Sequence, residues 1–457
     1  MAQYNEPAVH QKRHIGRYSA FRACLKCFFL QKKTIYTQQS NNIQMELMGS
    51  HELEHDFAQL TDPADMARID GAPLADILRL DPNKILETAC RAGSLDLAKY
   101  AISHGATDFD NGFYKACYGG HKEIVELMIS HDATGFNSGL YCACYGGHKE
   151  IVELMISHGA TDFNRGLYGA CEGGRKEIVE LMVSHGATNF DWGLSGACEG
   201  GHKEMAELMI SRGANKFYLG FDGACCGGHK ELVELMIRHG ATDFNVGLQS
   251  ACRHGHKEIA ELMINRGATD LNLGLRDACE GGQKELVELM IVRGATDFNI
   301  GLYGACQGGR KEMAELMVSR GATNFDRGLY NACRSGSMEL VNFIIDRGET
   351  DFNGGLCGAC KGGHKELVEL MIKLGATDFN GGLHSACLGI SCKEYSFLGK
   401  RKQKEIAELM IKHGATDFDR GLYGACFDGH RDIAKLIGKL APTIVCRCCG
   451  KLGAEHV

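Results

Sequence analysis

Twenty-two cysteines and twenty histidines in 457 residues are the groups through which this chain could do chemistry. Thiolates are nucleophiles and soft metal ligands, and imidazoles carry protons or bind metals. Their spacing argues against both uses. Thirteen cysteines follow an alanine and fall in one register: Cys90, Cys117, Cys144, Cys171, Cys198, Cys225, Cys252, Cys279, Cys306, Cys333, Cys360 and Cys387 are 27 residues apart, and Cys426 follows after 39. A disulfide joins two positions, and a single in-phase row offers no second one. Rungs of stacked helices stand about 8–10 Å apart, beyond a disulfide's reach. The row therefore reads as small buried hydrophobes in a reducing compartment, cytoplasmic or host-cytoplasmic. His121, His148, His202, His229, His256, His364 and His430 also recur once per period, but Arg175, Gln283, Arg310 and Ser337 stand at the same phase. A metal-ligand set does not tolerate that mixture. Glu123, Glu150, Glu177 and their successors are a solvated helix face, not paired catalytic carboxylates. Cys24-x-x-Cys27 and the group Cys446, Cys448 and Cys449 are too few and too irregular for a zinc site. No phosphate loop, zincin helix or nucleophile elbow occurs. The expectation is no catalytic residue, no metal and no cofactor.

The elements behind this spacing emerge from the stretch 145–171, YGGHKEIVELMISHGATDFNRGLYGAC, whose first fourteen residues also stand unchanged at 118–131. A fixed period of 27 means a stacked array of one small unit. In the unit taken at 164–189, Asn164 is the expected N-cap of a short helix. Leu167, Ala170 and Cys171 lie on one side of it, and Gly173-Gly174 end it. Arg175, which is His in most units, opens a second helix, KEIVELMVSH, with Ile178, Val179, Leu181 and Met182 as its apolar stripe. Gly186 suits a left-handed C′ position. Thr188-Asn189-Phe190 then leads to the next N-cap. Helices this short are marginal alone, so stacking must hold them. The leucine-rich alternative, open at this period, fails because the apolar residues follow a helical period and no strand motif exists.

These residues resemble the ankyrin repeat. Gly174-Arg175-Lys176-Glu177-Ile178-Val179-Glu180-Leu181-Met182 is similar to that family's turn and second helix. Gly186-Ala187-Thr188-Asn189-Phe190-Asp191 is similar to its helix-ending segment, and Leu167-Tyr168-Gly169-Ala170-Cys171 to its first helix. The resemblance covers 81–439. It departs in length, since ankyrin units run 33 residues. The missing six fall where that family builds its projecting hairpin, and Gly166 and its equivalents replace the usual Pro. The resemblance implies an all-α, helix-turn-helix solenoid of about 13 short repeats with truncated hairpin loops. It implies that the recurrent His hydrogen-bonds the turn. Near-identical short arrays of this kind resemble those of large DNA viruses that infect amoebae.

The formal net charge of −7 disfavours nucleic acid and anionic membranes as partners. No run of 18 apolar residues suggests a membrane span, and no secretory signal is expected. Residues 1–44 are a basic tail, expected to be disordered or to precede a later start at Met45 or Met48. Residues 45–80 form an acidic helical lead-in. The array occupies 81–439, opened by Asp81-Pro82 as N-cap and first helical residue. An insertion at 388–404 is expected as a basic surface loop. Lys435 and Lys439 give the last unit a polar face, Pro442 ends the fold, and 440–457 is a cysteine-containing tail.

What varies between near-identical units is the residue after each marker cysteine. Tyr118, Tyr145, Glu172, Glu199, Arg253, Glu280, Gln307, Arg334 and Lys361 occupy that phase, which by resemblance lines the concave face of an ankyrin array. Tyr114 and Tyr141 lie one turn from Tyr118 and Tyr145. Aromatic side chains dominate interface hot spots, so this cluster is the expected contact patch. Tyr114, Tyr141 and Tyr168 equally suit a packing role within the helix pair. The expected function is a non-catalytic, monomeric protein-interaction scaffold. The alternative is an adaptor whose segment 45–80 recruits host machinery such as a ubiquitin ligase.

Overall fold

A computed structural model describes residues 81–325, 327–388, 397–427 and 430–452, with side chains from residue 402 onward in the helix that begins at 397. The tail 1–44, the lead-in 45–80, Cys24-x-x-Cys27 and residues 389–396 of the insertion lie outside the described residues. Among the described residues twenty-six helices follow one another as thirteen pairs, from Pro82–Ala92 and Leu95–Ser103 to Phe418–Phe427 and Arg431–Leu440. The array is a tandem helical repeat solenoid of the expected class, and among the described residues it has no strand. Two compact units divide it. One runs to Ala170 and includes 175–187; the other holds 171–174 and everything from 188 onward.

Each unit is built from the same parts. In the pair Phe244–His254 and Lys257–Asn265, the positions Leu248, Ala251, Cys252, Ile259, Ala260 and Met263 are buried. Fully burying one such Leu, Ile or Met contributes about 1.5–3 kcal/mol, which is what makes nine-residue helices persist. Twelve marker cysteines are buried, and burial pushes their thiols up, to about 12 at Cys252 and Cys279. Such thiols are inert packing groups. Cys426 is only partly buried.

The expected punctuation holds at the glycines: Gly174 has φ +69° and Gly186 φ +100°. The glycine that replaces Pro has a packing cause. A Cβ on Gly166 would stand 2.5 Å from the Met182 sulfur and 3.4 Å from that of Cys144. Five residues, 158–162, connect one pair to the next, with no projecting hairpin. Asp81 caps the first helix through the Asn83 N–H, with Pro82 as first helical residue.

Three expectations change. The N-cap is two residues earlier than Asn164. The helix begins at Phe163, and the Arg165 N–H donates to Asp162 Oδ1 at 3.0 Å. The Asn phase, at the second helical residue, bridges forward instead. Asn137 Oδ1 accepts from the backbone N–H groups of Thr161 and Asp162 at 2.8 and 3.0 Å, and Asn245 does the same for Thr269 and Asp270. At one junction Glu349 takes over, its own Oε1 accepting from Thr350 and Asp351 N–H. The second change is in the insertion, part of which is helix: the second helix of that unit starts at Phe397 and runs sixteen residues to Lys412. The third is at Pro442, which does not end the fold. Beyond it Val445 pairs antiparallel with Leu452.

Candidate interaction surface

The recurrent turn histidine holds neighbouring repeats together. His148 Nε2–H donates to the Tyr118 carbonyl at 3.0 Å, thirty residues back, and His256 to the Cys226 carbonyl at 2.8 Å. The acceptor is a C-terminal carbonyl of the preceding unit's first helix, a group with no helical partner of its own. Arg175 Nε and Arg310 Nε donate to the equivalent carbonyls of Tyr145 and Glu280. Near the end of the insertion Gln403 Nε2 donates to the Lys361 carbonyl at 2.9 Å. His, Arg and Gln403 can interchange because each places an N–H there; Gln283 departs, donating to the Gly281 carbonyl in its own unit, and Ser337 instead caps its own helix.

That clamp fixes the backbone of the variable residue itself, so the row beside the marker cysteines is presented in register. In the first unit the row is aromatic. Tyr118 is 50% exposed, and its ring stacks on Tyr145 at 5.3 Å. Tyr141 lies 6.5 Å from Tyr145 and stacks on Tyr168 at 6.2 Å, with the Arg165 guanidinium 5.6 Å over the Tyr141 ring. Tyr114 is half-buried against Phe113, and burial lifts its phenol to about 12. It also explains why Gly135 stands where most units carry an Asp N-cap: a Cβ there would collide with the Tyr114 hydroxyl. Tyr118, Tyr145, Tyr141 and Tyr168 thus form one aromatic ladder, while the ring of Tyr114 packs on Phe113 instead. Tyr118 is its exposed member.

In the second unit the same row is charged and self-paired. Arg253 Nη2 lies 3.1 Å from Glu280 Oε2, a charge contact without a hydrogen bond's angle, and Gln307 Nε2 donates to Glu280 Oε1 at 3.1 Å. Burial raises the Glu280 carboxyl against the pull of Arg253. Beneath them Asp277 is fully buried and accepts from Arg253 at 2.6 Å and from Arg276 at 3.0 Å. Sequence reading passed over Asp277 and Arg276. The available signal was a carboxylate at a phase that is Gly in Gly196, Gly223, Gly304 and Gly358. Glu172, Glu199, Arg334 and Lys361 stand half-buried in the same row. Of these, Glu199, Arg334 and Lys361 offer their carbonyls to His229, His364 and Gln403.

No helix of the described residues is long and apolar enough to cross a membrane. Among known proteins, the family model described as ankyrin repeats (3 copies) matches residues 86–166. No curated protein matches. Among solved structures the chain is similar to a "Circular tandem repeat protein with novel repeat topology and enhanced subunit contact surfaces", at 17% identity over 80% of this chain and 88% of that one, with a TM-score of 0.12. Ankyrin repeats are generally protein–protein interaction modules. The family model lies on the first repeats, and a helix pair of the same kind recurs among the described residues as far as Leu440.

Proposed function

We propose that the protein is a non-catalytic scaffold that binds a partner protein along the row beside the marker cysteines, with the tyrosine ladder as its primary contact. One observation carries this reading. Between near-identical units the buried Ala-Cys core recurs while this row changes chemistry, and in the first unit it presents stacked tyrosines with Tyr118 half exposed. Rigid stacked aromatics offer large contact area with little side-chain entropy left to lose on binding. Within the second unit the same phase, at Glu172, Glu199, Arg253, Glu280, Gln307, Arg334 and Lys361, offers charged and polar groups that would select among partners.

The test pairs capture with folding. Wild-type protein and the double variant Tyr118→Ala/Tyr145→Ala are compared as baits in a cell lysate, and both are checked by circular dichroism. Loss of a specific band from a folded variant supports the reading. Undiminished capture by a folded variant removes the tyrosines from the contact.

A further inference from the structure

The last repeat treats its marker cysteine differently from the others. In interior units the next repeat covers that thiol: Cys252 Sγ lies 3.5 Å from where a Cβ on Gly274 would stand. After Cys426 the second helix ends at Leu440 and no further helix pair begins before 452. The chain folds back instead. Val445 pairs with Leu452, the Cys446 N–H donates to the Lys451 carbonyl at 2.8 Å, and the Gly450 N–H donates to the Cys446 carbonyl at 2.8 Å. Gly450 takes φ +70°, which lets the chain close tightly behind Cys446-Arg447-Cys448-Cys449. The hairpin is fixed to the last repeat by Arg447, 2.8 Å from the Asp419 carboxylate, and by Cys446, which is buried near the Leu422 carbonyl.

This fold-back brings three sulfurs together. The Sγ atoms of Cys426, Cys446 and Cys449 all lie within 4.8 Å of one another. A tetrahedral zinc with Zn–S bonds of about 2.3 Å needs its thiolates about 3.8 Å apart, so small side-chain adjustments complete the geometry. A Cys-x-x-Cys turn closed by glycine, with a third thiolate from a separate helix, is a donor arrangement for a soft or borderline cation. A disulfide would use two of the three sulfurs and leave no role for the third.

We infer that Cys426, Cys446 and Cys449 form a zinc–thiolate site that staples the hairpin 441–452 over the final repeat. Each thiol releases its proton to solvent on ligation, and solvent fills the fourth position. The site caps the array. A terminal repeat lacks a neighbour on one side, and zinc supplies cohesion that stacking supplies elsewhere.

The expectation of no metal rested on counting Cys426 with the core markers and the tail cysteines by themselves. The experiment uses the full chain, purified reduced, stripped of metal and loaded with zinc or with cobalt(II). Wild type retains about one zinc per chain, and the cobalt form shows thiolate-to-metal charge transfer with tetrahedral d–d bands. Cys449→Ser, at an exposed position, loses the metal while keeping its helical circular dichroism. Cys448→Ser, also exposed, keeps it. Equal cobalt uptake by Cys449→Ser and wild type places any metal elsewhere and overturns the inference. So does a wild-type chain that binds none, or a reduced preparation in which mass spectrometry finds Cys446 and Cys449 joined.

Discussion

The tyrosine ladder around Tyr118 and Tyr145 and the charged ladder around Arg253 and Glu280 stand at the same register, on the same helix face, held by the same turn clamp. They do different physical work. The tyrosines stack on each other and leave Tyr118 exposed. The charged ladder is anchored on a fully buried carboxylate, Asp277, held by Arg253 and Arg276. One phase of a repeat can therefore serve binding in one place and cohesion between repeats in another. Variation at this phase points to contact where the side chain stays exposed, as at Tyr118, and to cohesion where it is paired within the row, as at Glu280.

The comparison can be broken at its strongest point first. Arg253→Ala with Arg276→Ala leaves Asp277 buried and uncompensated. We expect a loss of about 3 kcal/mol in urea unfolding, the low end for a broken buried pair because Arg253 keeps water on one side. Tyr118→Ala with Tyr145→Ala should cost about 1 kcal/mol. Equal losses would show that the two ladders are energetically alike.

The next effect lies in the first unit. Asp108 caps its helix while buried, and burial, with Asp110, Glu87 and Asp81 adding to it, raises its carboxyl from 3.8 to about 6. Between those two values its folded form holds a proton that the unfolded chain has released. The stability this confers is present below pH 3.8 and is lost as pH rises to about 6. Asp108→Asn keeps the cap and removes that slope, and should unfold on the order of 2 kcal/mol later than wild type at pH 7. An unchanged pH profile of Tm would refute it.

The turn clamp, by contrast, should not distinguish the regions. His148→Ala and His256→Ala are each expected to cost about 1 kcal/mol, the cost of an orphaned carbonyl, and arginine at either position should restore most of it. A clear inequality would mean that the ladders feed back on the clamps. The smallest effect is ionic. Raising salt from about 0.1 to 1 M should weaken the Arg253–Glu280 contact by a few tenths of a kcal/mol and leave the tyrosine ladder unchanged.

Much of this was legible in the residues. The 27-residue period, the two helices, the buried Leu-Ala-Cys and Ile-Val-Met positions and the glycine stops were all readable, because each follows from side chains within one or two turns. The cap was misplaced for a related reason. Asp162 and Asn164 are both cap-forming residues two apart, and only the need of Thr161 and Asp162 N–H for an acceptor in the previous unit separates their roles. Tyr114 was balanced between packing and contact, and its enclosure against Phe113 and Gly135 depends on a helix in the next repeat.

By itself, then, the sequence determined the unit: its period, its helices and its apolar core, since amphipathy and turn chemistry act over a few residues. Only the tertiary structure decided what the unit's polar groups meet. His148 finds a carbonyl thirty residues back, Asp277 finds Arg253, and Cys426 finds Cys446 and Cys449. Those partners are far apart in a chain of near-copies, where local pattern is the same at every repeat and cannot say which neighbour a side chain will face.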